Sequence, residues 1–93
     1  MEKNDEKQIS ERLNKAIREV IDNQIYDNEP PETAECLERL VEEGFSQDEA
    51  YTLIGRVVSK ELTAVFVDQR PFDQEKYVKA LIDLPTPYEE PKG

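Results

Sequence analysis

The residues able to do chemistry in this chain are few and of one kind. There is no histidine, which removes the commonest general base, the commonest metal ligand and every triad built on either. Cys36 is the lone thiol. No basic neighbour stands at close spacing to lower its pKa, so a structural role is expected of it. Glycine-rich phosphate loops and spaced Cys/His pairs are absent, and the acids do not alternate around a central glycine as a calcium loop requires. No metal, no cofactor and no small-molecule substrate are therefore expected. What remains is carboxylate. Glu35, Glu38 and Glu42 recur at helical spacing and would form one acidic face, read either as a docking face for a basic partner or as a solvated surface. Arg70, Phe72 and Asp73 are explained by a turn, a helix cap and an apolar staple.

The charge balance limits the partners. Twelve basic residues against 22 acidic ones give a net charge of −10. Phosphate backbones require Lys and Arg, so neither nucleic acid nor an anionic membrane surface is an expected partner. A helix-turn-helix reading of residues 31–67 fails for the same reason, because its second helix opens with Gln47, Asp48 and Glu49. One cysteine permits no internal disulfide and fits a reducing cytoplasm. No signal-peptide pattern, lipidation box or membrane-length apolar run is read in the chain.

The elements that position these residues are helices. Gly44-Phe45-Ser46 reads as the end of one helix and the start of the next. Gly44 suits a left-handed closing residue. Ser46 and Glu49 form a capping box, with Phe45 and Ala50 as its staple. The stretch Gly44–Val67 organises the chain. Ala50, Leu53, Ile54, Val57, Val58, Leu62 and Val65 recur at helical spacing, and a second row, Tyr51, Gly55, Val58, Leu62 and Phe66, flanks the first. That surface is wider than one neighbour needs, which makes Tyr51, Gly55 and Phe66 candidate partner-contact residues. A glycine inside a helix costs about 1 kcal/mol, so Gly55 points to close approach by another backbone.

The spacing predicts an all-α, four-helix domain over residues 1–85, with helices at about 5–25, 31–43, 47–67 and 74–83. Ile9, Leu13, Ala16, Ile17, Val20, Ile21 and Ile25 write the first helix. Ala34, Leu37, Leu40 and Val41 turn inward from the second, which Pro31 can open. Asp73 caps the fourth, Phe72 staples onto Tyr77, and Val78, Leu81 and Ile82 continue its stripe. Residues 86–93, with two prolines and no period, read as a disordered tail.

Two resemblances accompany this reading. LVEEGFSQDEA is similar to the first loop of ubiquitin-associated domains, where a Met-Gly-Phe-type turn joins two helices. Here Glu43 replaces the methionine and the following helix is far longer, so the similarity is one of turn physics. The span from Pro30 to Pro85 resembles a family of small uncharacterised bacterial helical proteins. It does so through ERLVEEGFSQDEAYTLIGRVVSKEL and RPFDQEKYVKALIDLP. That resemblance implies an all-helical cytoplasmic domain and supplies no catalytic residue.

The expected function is a non-catalytic protein–protein interaction module, with a homodimer as the simplest partner arrangement. An acidic regulator of a basic target, or DNA mimic, is the alternative. An enzyme working with carboxylates alone is the third reading, and it would require a carboxylate-lined concave pocket.

Overall fold

The computed structural model describes residues 3–88, with side chains from residue 11 onward. Four helices make up the regular structure of these residues: α1 (Lys3–Asp27), α2 (Pro31–Glu42), α3 (Gln47–Asp68) and α4 (Gln74–Asp83). The expected boundaries hold to within two residues at every end.

Local chemistry explains where each helix stops and starts. Pro31 opens α2, where its missing N–H is no loss. At the other end Gly44 adopts φ 108°. Its N–H donates to Val41 O at 3.1 Å, and the Phe45 N–H donates to Leu40 O at 3.1 Å. These two bonds are the Schellman pair that satisfies a helix's last carbonyls. Two residues later α3 begins. Glu49 N–H donates to Ser46 Oγ at 3.1 Å, and Ser46 N–H donates to Glu49 Oε1 at 2.8 Å. The capping box is thus complete, with Phe45 and Ala50 both buried beneath it. At α4, Asp73 Oδ1 accepts from Lys76 N–H at 3.1 Å, and the Phe72 and Tyr77 rings meet at 5.4 Å.

Helix α3 is the hub. It packs against α1, α2 and α4 and buries Ala50, Leu53, Ile54, Val57 and Val58 at the centre of the core. Its partners add Ile21 from α1, Cys36 and Leu40 from α2, and Tyr77, Leu81 and Leu84 from α4 and its exit. Helix α1 is long for the domain: 25 residues span about 37 Å at 1.5 Å each, against a longest molecular extent of 42 Å.

The inward faces differ in part from the sequence expectation. Among the described apolar side chains of α1, Ile17, Ile21 and Ile25 face the core; Leu13, Ala16 and Val20 are exposed, and Ile9 lies outside the described side chains. On α2 the buried face is Thr33, Cys36 and Leu40, with Leu37 half-buried and Val41 exposed. Thr33 can turn inward because Gln24 Oε1 accepts from its hydroxyl at 2.7 Å. The same oxygen accepts from the Tyr77 hydroxyl at 2.8 Å, so one amide joins α1, α2 and α4. On α4, Leu81 is buried and Ile82 is exposed.

The chain after α4 does not leave the domain at once. Leu84 and Pro85 are buried, and the Tyr88 N–H donates to Pro85 O at 2.8 Å. Tyr88 then packs on the core edge, with the Arg56 guanidinium 5.6 Å from its ring centroid. Residues 84–88 therefore form a turn against the core, which holds the first three residues of the expected 86–93 tail. The rest of that expectation, 89–93, lies outside the described residues.

Candidate functional site

The acidic face of α2 is real as geometry. Glu35, Glu38 and Glu42 are all exposed on it. The neighbouring Glu43 is not part of that face, since its Oε2 accepts from Arg39 at 3.1 Å. The other candidates lie elsewhere, and the fold does not bring the six together.

Tyr51 faces α1. Its hydroxyl donates to Asp22 at 2.6 Å, which raises the phenol's pKa, and the Arg18 guanidinium stands 4.5 Å over its ring. Arg18 also pairs with Asp48 at 2.8 Å. Gly55 is buried where α1 and α3 cross, and a Cβ there would come within 3.2 Å of Ile17 Cγ2. The close approach inferred from the sequence is thus to a side-chain methyl of this chain. Tyr51 and Gly55 border an open cleft of about 370 Å³ whose rim carries Arg18 and Arg56. Phe66 is 78% exposed near the end of α3, beside an exposed Val67.

Cys36 does have a basic neighbour, contrary to the sequence reading. Arg39, one turn on, places its guanidinium 3.7 Å from Sγ. Burial nevertheless outweighs that charge, and the thiol is pushed up from 9.0 to about 11. The protonated thiol donates to Leu81 O at 3.3 Å. Such a group is inert.

Sequence reasoning missed Arg39, Gln24 and Glu61. Arg39 carried a signal, as the lone cation of the acidic stretch from residue 31 to 49. Gln24 and Glu61 carried none, because polar residues in a helical pattern are ordinarily exposed. Glu61 is buried and lines, with Asp83, a second cavity of about 120 Å³ between α3, α4 and the 84–88 turn. That volume falls below the roughly 300–1,000 Å³ usual for small-molecule sites. Among the described residues, no group of three or more His, Cys, Asp or Glu could hold a metal ion. No helix there is long and apolar enough to cross a membrane.

No protein-family model, no curated protein and no solved structure matches this chain.

Proposed function

We propose that this protein is a non-catalytic protein–protein interaction module of the cytoplasm, and that its first partner is a second copy of itself. One observation carries the reading. Helix α1 has two apolar rows, and its own domain covers only one. Ile17, Ile21 and Ile25 are packed inward, while Leu13, Ala16 and Val20 line an exposed stripe, Leu13 at 54%. A stripe of that kind on a soluble protein favours association, and a two-fold dimer is the simplest way to cover it. Phe66 and Val67 add exposed apolar surface at the end of α3. Self-repulsion from a charge of −10 opposes the contact, but salt screens it within about 8 Å.

Sedimentation at micromolar concentration in moderate and high salt tests this. A dimer strengthened by salt, and split by Leu13→Asp or Val20→Asp with the helical signal intact, is the expected result. A monomer mass in both salts sinks it.

The second reading, an acidic regulator of a basic target, is favoured by Glu35, Glu38 and Glu42. All three are exposed, and no ion pair with another described residue engages them. Association through that face weakens with salt, the opposite of the apolar contact.

A further inference from the structure

Glu61 sits in the middle of α3 and is 4% exposed, in a helix whose other buried positions are all apolar. Among the described residues, no hydrogen bond or ion pair reaches its carboxylate. The residue is buried as a whole, yet its oxygens are not among the sealed, unpartnered polar atoms, so they open toward the cavity where a cation could meet them. The side chain lines the 120 Å³ cavity, whose walls are largely carbon: Val57 from α3, Ala80 from α4, and Pro87 and the Tyr88 ring from the turn. Arg56 over that ring helps hold the last wall in place. Asp83 contributes a second acid to the lining. Lys60 and Lys76 also border the cavity, but both are exposed and neither pairs with Glu61.

The geometry points to a receptor for one lysine side chain, presented by a basic segment of another protein, with its ammonium on Glu61 and its methylenes along Val57, Ala80 and Tyr88. A carboxylate beside the apolar atoms of Val57, Ala80 and Tyr88 matches a compact charge on an aliphatic stem. The volume suits one side chain and not a metabolite. The net charge of −10 draws a basic partner toward the surface. This site goes beyond self-association and uses neither the α1 stripe nor Phe66.

The test is an NMR titration of the full chain with a capped Ala-Lys-Ala tripeptide, its norleucine counterpart and butylamine. The tripeptide is expected to shift the amides of Val57, Ala80 and Tyr88 saturably, with a dissociation constant of about 1 mM or tighter. Binding should weaken about tenfold or more for the norleucine peptide and for Glu61→Gln, a drop of about 1.4 kcal/mol. Should Glu61→Gln lose its helical signal, the lysine and norleucine peptides on the native chain decide alone. Equal binding of the two peptides, no saturation by about 10 mM, or shifts centred on Glu35, Glu38 and Glu42 overturns the proposal. Butylamine binding as tightly as the tripeptide would make the ligand a free amine and overturn the protein-segment assignment. Sedimentation of the α1 variants reads a different surface, so the two proposals fail separately.

Discussion

Arg39 on α2 closes the end of α4 through Leu84, donating from one guanidinium nitrogen to the Leu84 carbonyl at 2.7 Å. The other nitrogen reaches Leu81 O at 3.0 Å and Ile82 O at 3.3 Å. A helix leaves its last carbonyls without intrahelical partners and carries partial negative charge there. The planar fork of an arginine can meet several of them at once, which a lysine cannot. The same side chain pairs with Glu43, so one residue joins the ends of two helices.

Arg39→Ala is therefore expected to destabilise the fold by about 2 kcal/mol, through orphaned carbonyls and an unpaired Glu43. Arg39→Lys should recover only part of that. Urea unfolding followed by circular dichroism measures both, and a loss within error of zero for the alanine variant would refute the capping role.

Stability should fall in alkali, beginning near the ordinary thiol pKa. In the folded chain Cys36 keeps its proton up to about 11, whereas the unfolded thiol loses it from about 9. Between those values the folded state binds more protons, so stability is full below pH 9 and is lost as pH rises through 11. Two pKa units correspond to a loss on the order of 2–3 kcal/mol. Tyr77, raised mainly by burial, and Tyr51, raised mainly by its bond to Asp22, act in the same direction at higher pH. Cys36→Ala should flatten the fall between pH 9 and 11; an unchanged slope would assign it to other groups.

Gly44→Ala should cost about 1 kcal/mol or more, since a Cβ is strained at φ 108°. Thermal melts report it, and an unaltered melting temperature would mean that the α2–α3 turn tolerates another backbone conformation.

Tyr88→Ala should lower stability by about 1 kcal/mol, through the lost contact with the core and with Arg56. A variant as stable as the parent chain would show that the turn after α4 is dispensable to the fold.

Phe66→Asp should leave the monomer fold unaltered, because the ring is already 78% exposed and no apolar core is opened to a charge. Cooperative unfolding at the parent's urea midpoint is the expected result. A large loss of helical signal would place Phe66 inside a packed surface.

The sequence by itself determined the helices and their boundaries, because caps, staples and Schellman turns are settled by residues three to six apart. Ser46 with Glu49 and Gly44 with Phe45 needed no distant partner to act. It also determined that α3 is central, since its apolar positions occupy too much of its circumference for one neighbour. Periodicity could not decide which of two apolar rows a domain covers. On α1 the row of Ile21 and the row of Leu13 have similar spacing, and only the placement of α3 and α2 buries the first and leaves the second exposed. On α2 the same competition turned Thr33 and Cys36 inward and Val41 outward, because a hydroxyl held by Gln24 is no longer costly to bury. The polar groups of the interior were illegible for a related reason. Arg39 meets Leu84 across 45 positions and Gln24 meets Tyr77 across 53. The cavity of Glu61 exists only where α3, α4 and the final turn converge. Local chemistry writes the helices, but burial is a property of neighbours, and only the tertiary structure supplies those.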